Sequence, residues 1–277
     1  MRFGAHMSIA GGFDQAIRRG SEAGCEVVQI FTTAPSSWQR KSISEKNRRL
    51  LREAVAEFHI PVVAAHAIYL INIASAKSGL YEKSITALVQ EVAACDRLAI
   101  PWVVLHPGSA GKDDRTTAIG RVAEALNIVL HETRTSKVTI LLETTAGSGS
   151  ILGSSFEELA AIRARVTDKK RVKYCLDTCH MFAAGYDFRT KKGYQAIREK
   201  IEAVLGLSNV YLFHLNDSRL GCGMRRDWHA HIGEGEIGKA GFRQFVRDER
   251  FDRVPAVLET PKDKTLKDDI MNLAVLK

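Results

Sequence analysis

Eight short apolar runs, each followed by a stretch of helical periodicity, constrain this chain more than any other feature of it. They are Phe3–Met7, Val27–Phe31, Val62–Ala67, Val103–His106, Val138–Glu143, Val172–Asp177, Val210–Asn216 and Ala256–Glu259. Each is rich in Val, Ile and Leu and too continuously apolar for a half-exposed antiparallel strand, which would alternate. Strands buried on both faces and separated by helices predict a parallel sheet covered by those helices. Ser42-x-x-Glu45 and Ser155-x-x-Glu158 read as capping boxes, and Gly24 and Gly206 sit where helices should stop. Eight such units in 277 residues, uninterrupted by linker, repeat or low-complexity tract, predict one (β/α)8 barrel of the α/β class spanning residues 1–277. A doubly wound open sheet is the alternative, but Gly11-Gly12 after the first run is a turn and not the G-x-G-x-x-G of a dinucleotide fold.

The ends of the runs carry the chemistry. His6, His66, His106, Glu143, Asp177, His214 and Glu259 close seven of the eight, and His180 and Asp217 lie just past two of them. In a (β/α)8 barrel that end is the active face. One such residue is usually a hydrogen-bonded rim group. Several carboxylates and imidazoles around one cavity are different, because without a cation they would leave buried charges unpaired. Divalent metal removes that penalty, and this donor mixture suits zinc, manganese or iron. One carboxylate such as Glu143 could bridge two ions, and two ions roughly 3.5–4 Å apart can clamp both oxygens of a phosphate-ester displacement. Asp227-x-His229 puts two more ligand types on one side of an extended segment and, with His180, makes a further three-ligand set. His59 and His131 fall in or beside helices and read as surface residues.

The charge excess is 40 − 32, or +8, which favours an anionic partner without excluding an ordinary basic enzyme. Arg40-Lys41, Arg189, Lys191-Lys192, Arg219 and Arg225-Arg226 follow strands and fall on the metal face; Arg163, Arg165 and Lys169 to Arg171 precede a strand and read as solvated. A basic collar around a metal site suits a polyanion held by its phosphates. Tyr69, just after His66, is an aromatic on that rim, available to stack against bases or to pack into the core. Five cysteines, an odd number in a large chain, point to a reducing compartment, with Cys175 and Cys179 as small packing residues. The first residues form no apolar signal region, and the apolar stretch from Pro61 to Ala74 contains His66 and Asn72 and is too short to span a bilayer. The expectation is a cytoplasmic, monomeric protein with no membrane partner.

Several stretches resemble the endonuclease IV type of apurinic/apyrimidinic endonuclease: Gly4–Gly12, Leu105-His106-Pro107-Gly108, Leu142–Gly147, Cys175–Asp187, His214-Leu215-Asn216-Asp217-Ser218, Asp227-Trp228-His229, Ile232–Gly235 and Leu258-Glu259-Thr260-Pro261. They occur in that family's order and cover essentially the whole chain. The resemblance implies a zinc-dependent TIM barrel with three Zn2+ per chain. His66, His106 and Glu143 would hold one ion; Glu143, Asp177, His214 and Glu259 a second; and His180, Asp227 and His229 the third. It also implies double-stranded DNA with abasic sites as partner, and cleavage 5′ to the lesion leaving a 3′-hydroxyl. The implied nucleophile is a metal-bound water oriented by Glu143, with Tyr69, Arg219 and Arg225 on the DNA. The chain departs from the family at Ala34-Pro35-Ser36-Ser37-Trp38, where an Arg is usual, at Trp228, where the family has Arg, at Ala67-Ile68, where small or polar residues are usual, and at Thr144, where Asn is common. These changes touch DNA engagement and leave the ligand set intact. The rival reading is a metal-dependent sugar isomerase or epimerase on the same scaffold; a DNA-damage binder without catalysis is the third.

Overall fold

The computed structural model describes residues 1–40, 42–263 and 265–277. Strands β1 (Phe3–His6), β2 (Val27–Phe31), β3 (Val62–His66), β4 (Trp102–Leu105), β5 (Thr139–Glu143), β6 (Val172–Asp177) and β7 (Val210–His214) precede a two-stranded antiparallel ribbon of β8 (Asp217–Ser218) and β9 (His229–Ala230), and β10 (Ala256–Leu258) follows. β1 to β7 and β10 pair in parallel and close on one another in the order β1-β10-β7-β6-β5-β4-β3-β2. The predicted (β/α)8 barrel is therefore the observed fold. Helices α1 (Phe13–Glu22), α2 (Glu45–Phe58), α3 (Ser78–Leu98), α4 (Arg115–Glu132), α5 (Phe156–Ala164), a short α6 (Thr178–Ala183), α7 (Lys191–Val204), α8 (Gly238–Val246) and α9 (Lys267–Leu276) lie in the connections or follow the last strand.

The strands run as predicted to within a residue or two at their ends. Met7, Ala67, His106 and Glu259 fall just outside because the ladder there is one-sided: Met7 N donates to Gln29 O at 2.8 Å and Ala67 N to Val104 O at 2.9 Å without a second neighbour completing the pattern. The capping box expected at Ser42 and Glu45 is two residues further on. Ser44 Oγ accepts from Asn47 N at 3.2 Å and Asn47 Oδ1 accepts from Ser44 N at 3.0 Å. The buried side chain of Ile43 pins the chain just before the helix, so the start falls at Ser44. At α5 the Ser155 half of the expected box is present, but the Glu158 carboxylate turns to Gly153 N (2.8 Å) and Arg115 instead.

Two apolar compartments result from strand alternation. Outward-facing residues such as Ala65, Leu142, Leu176 and Phe213 meet the helices in the large outer core. Inward-facing Val27, Ala64, Val104, Leu141, Cys175, Leu212 and Val257 fill the barrel, over a floor made by Trp102 and Tyr211, whose rings lie 5.7 Å apart. β1 approaches so closely that a Cβ on Gly4 would fall 1.7 Å from Val27 O, so this strand needs glycine. Irregular register between Val28 and Gln29 on β2 against β3, and between Tyr174 and Cys175 on β6 against β7, leaves one extra residue in each partner strand. That extra residue resets the alternation so that His66 and His214 turn inward.

Arg163 and Arg171 at the far end are not merely solvated, as their place before a strand suggested. Arg171 donates to Val138 O (Nε, 3.0 Å) and Thr133 O (Nη1, 2.8 Å), and Arg163 donates to Val172 O (2.7 Å), so guanidinium groups cap strand and helix ends there.

Candidate metal centre

Two residues beyond the apolar barrel layer, every strand contributes one inward side chain, and all eight are polar: His6, Gln29, His66, His106, Glu143, Asp177, His214 and Glu259. A residue at i+2 repeats the facing of residue i, so the strand-end pattern in the sequence is this ring seen in one dimension. Asp177 also caps α6, its Oδ1 accepting from His180 N at 2.8 Å, and so delivers His180 to the same mouth. The ribbon brings Asp227 and His229 across from the other side.

Glu143 is fully buried at the centre. Its Oε2 lies 3.1 Å from His66 Nε2 and 2.9 Å from His106 Nε2; its Oε1 lies 2.9 Å from His214 Nδ1. His214 Nδ1 is also 3.3 Å from Glu259 Oε2 and 3.9 Å from Asp177 Oδ2. His180 Nε2 meets Asp227 Oδ2 at 3.1 Å, and His229 Nε2 stands 3.0 Å from Asp227 Oδ1. Three sets of donor atoms thus lie within 4.8 Å of one another: His66, His106 and Glu143; Glu143, Asp177, His214 and Glu259; and His180, Asp227 and His229. Glu143 belongs to two of them.

The outer nitrogens of four imidazoles are tied up. His66 Nδ1 donates to Ala67 O (2.7 Å), His180 Nδ1 to Thr144 O (2.8 Å) and His229 Nδ1 to Glu259 O (2.9 Å), while His214 donates from Nε2 to Gln29 Oε1 (2.9 Å). In each the opposite nitrogen faces the carboxylates, so it is the one a metal would take in place of a proton. His229 Nε2 is buried and, despite its closeness to Asp227, has no hydrogen-bond partner of usable geometry. An unpartnered buried nitrogen beside four carboxylates and four further imidazoles fits a divalent cation and little else.

The electrostatics agree. Burial by itself would lower the His66 imidazole, but its hydrogen bond to Glu143 and the charges of Glu259 and Glu143 leave it at about 9. Burial would lower His229 too, and the adjoining Asp227 and Asp177 carboxylates lift it to about 9. Burial pushes Glu143 up, yet the charges of His214 and His106 hold it well below the usual carboxylate range. The cluster is one in which carboxylate charge attracts any available cation. Two cysteines come within reach as well, Cys175 beside Glu143 and His214, and Cys179 beside Asp177 and His229. Burial, then the neighbouring carboxylates, raises Cys175 well above the ordinary thiol range and Cys179 to about 12, so both remain neutral packing groups.

The ring opens into a cavity of about 1530 Å³ lined by His66, Tyr69, His106, Ser37, Trp228 and Glu259 among others. Tyr69 is 67% exposed and stands edge-on to Phe31, 5.4 Å between centroids. Trp228 is 52% exposed, with the Arg219 guanidinium 5.5 Å over its ring. Arg219 also donates to His229 O at 3.1 Å, and Arg225, with φ 52°, is exposed at the ribbon tip. Three rim residues have other work. Arg40 is drawn inward onto Glu91, Arg189 pairs with Asp187, and Trp38 is half-buried beneath Lys83. Lys41 lies outside the described residues. Asp217 is not a site residue either: its carboxylate accepts from the backbone of Gly233, Gly235, Ile237 and Gly238 and ties down the loop behind the ribbon.

Sequence reasoning missed two residues. Gln29 is fully buried in the ring, and Asn216 donates to Asp177 Oδ2 at 2.6 Å while accepting from Glu259 N at 2.7 Å. The phase of Gln29, two residues after Val27 as each ligand type follows an apolar barrel residue, was the available signal.

A family model described as a xylose isomerase-like TIM barrel matches residues 17–275. A relative named probable endonuclease 4 from Geobacter sulfurreducens is 44% identical over 274 residues, covering 99% of this chain and 93% of its own. The crystal structure of endonuclease IV from Thermus thermophilus superposes with a TM-score of 0.85 at 35% identity, covering 100% of this chain and 97% of the other. The structure of a D-tagatose 3-epimerase-like protein superposes at 0.75 with 19% identity over the whole of this chain and 96% of that one, a likeness of fold alone.

Proposed function

Since the chain belongs to the endonuclease IV family, we propose that it hydrolyses the DNA backbone on the 5′ side of abasic sites, leaving a 3′-hydroxyl, with three zinc ions per chain. The carrying observation is the arrangement of nine donors in three sets, two of which share Glu143. His66, His106 and Glu143 would hold one ion, Glu143, Asp177, His214 and Glu259 a second, and His180, Asp227 and His229 a third. When bound, such ions supply Lewis acidity to phosphate oxygens and bring the pKa of water toward neutrality.

The chain's own part is positional. Glu143 sets the spacing of three imidazoles from the buried centre and, as the carboxylate they share, is the group to orient the attacking water. Backbone carbonyls of Ala67, Thr144 and Glu259 keep His66, His180 and His229 in one tautomer. Arg219 and Arg225 at the ribbon hold flanking phosphates, and Tyr69, standing free at the rim, packs against the extruded lesion. One chain supplies the entire set, so a monomer suffices. Among the described residues no helix is long and apolar enough to cross a membrane, and all five cysteines are free thiols, in line with a cytoplasmic enzyme. The epimerase reading leaves the His180–Asp227–His229 set and the cationic ribbon without a task.

The test is incubation of purified protein with a duplex bearing one abasic site, with elemental analysis of the same preparation. The expected products are a 5′ nick with a 3′-hydroxyl and about three ions per chain, mostly zinc. Intact DNA, or one ion or none in active protein, would refute the proposal.

A further inference from the structure

Gln29 occupies the ring position of β2, the one strand that supplies no ligand type, and its amide is wholly enclosed. Its nitrogen stands 2.6 Å from Glu259 Oε1 and 3.1 Å from His6 Nδ1; its oxygen stands 2.9 Å from His214 Nε2. The orientation of this amide follows from chemistry. An ionised carboxylate only accepts, so the group facing Glu259 must be the NH2. The oxygen is then fixed toward His214, and an amide oxygen only accepts, so His214 must carry its proton on Nε2. Nδ1 is then the nitrogen open to a metal, and it faces Glu143, Glu259 and Asp177. The same amide nitrogen lies 3.1 Å from His6 Nδ1, which itself stands 3.3 Å from Glu259 Oε1. His6 joins none of the three donor sets among the described residues; it is the far anchor of the amide, held in turn against Phe31 at 4.3 Å.

The hydrogen-bond logic leaves few substitutes. An apolar side chain would strand a buried N–H on His214 and a buried oxygen on Glu259. A carboxylate would serve His214 but repel Glu259.

We propose that Gln29 is a positioning residue of the metal centre: it selects the His214 tautomer that presents Nδ1 and locks Glu259 beside it, so that two of the four ligands of one set are preformed. The inference rests on the reading of the ring as a metal site. Its test compares the purified wild type with Gln29→Met, which keeps the volume, and with Gln29→Glu, which keeps the acceptor toward His214. Affinity is measured by titration of stripped protein with Zn2+ against a chromophoric chelator, and geometry by the visible absorption of the Co2+-loaded protein. Thermal melting of the stripped forms checks that the fold is kept. Gln29→Met is expected to weaken at least one ion by about 10- to 100-fold and to change the cobalt spectrum, with Gln29→Glu between it and wild type. Should Gln29→Met not fold, Gln29→Glu decides alone by the same measurements. A wild type that loads, with variants that load as tightly and give the same spectrum, would overturn the positioning role only. A wild type that takes up no ion would overturn the metal reading and this inference with it.

Discussion

The Arg40 guanidinium lies against the fully buried Glu91 carboxylate of α3, and Thr32 bridges them, its hydroxyl donating to Glu91 at 2.6 Å and accepting from Arg40 at 2.6 Å. A residue that sequence placed among phosphate contacts is thus a strut holding the loop after β2 against α3. Breaking a buried pair from one side leaves an uncompensated charge, costing about 3–5 kcal/mol, whereas replacing both partners by apolar side chains is often neutral. Glu91→Ala should lose stability on that scale in urea unfolding, and the double change Arg40→Met, Glu91→Met should recover most of it. A Glu91→Ala protein as stable as wild type would show the pair to be inert.

Glu143→Gln should lower turnover by more than about 100-fold, beyond what losing an outer hydrogen-bond partner of a ligand costs. The neutral amide breaks the charge contacts to His66, His106 and His214 at the centre of the ring. DNA affinity, measured separately by fluorescence anisotropy, should hardly change, because the cationic rim is untouched. Near-normal turnover would exclude a shared role for this carboxylate.

DNA affinity should fall steeply with salt. Arg225→Glu or Arg219→Glu should flatten the slope of log K against log salt by about 0.9 for each phosphate that is no longer neutralised. Lys170→Glu lies at the opposite end of the barrel, before β6, and should leave the slope unchanged. Equal effects at both ends would mean that charge acts here without a fixed binding face.

Lesion opening should depend on Tyr69 and Trp228. Trp38, at the end of the stretch that lacks the family's Arg, is half-buried beneath Lys83 and packed against the core. Ser36-Ser37 offers no long side chain to push into a stack, and unstacking costs a few kcal/mol per step. Cleavage of one abasic site should therefore be relatively better in single-stranded or bulged DNA than in duplex. Tyr69→Ala and Trp228→Ala should each widen that gap, and Ser37→Arg should narrow it. If neither aromatic matters and Ser37→Arg does nothing, the wedge lies elsewhere.

Bound metal should stabilise the fold by mass action, about 2.7 kcal/mol for a site at 100 times its Kd. Melting with excess Zn2+ and with chelator should differ accordingly, and His229→Ala should retain part of the difference because the other two donor sets remain. An unchanged melting temperature on adding Zn2+ would argue against metal at the mouth.

The barrel and its metal-ligand candidates were legible because both follow from a period of two along single strands. Apolar runs such as Leu141-Leu142 announce strands buried on both faces, and a polar residue in phase two places later, Glu143 here, must point into the barrel whatever its neighbours do. What one strand does to another was not legible. Gln29 matters only because the β2–β3 register sets it beside His214 and Glu259, residues 185 and 230 positions away. Asp217 bears a site-like sequence context yet serves a loop 16 to 21 residues ahead, while Arg40 turns from the rim to α3. Facing along a strand is local backbone geometry and can be read in order. Hydrogen-bond partnership is decided by closure of the barrel and by loop paths through space, and only the tertiary structure determines those.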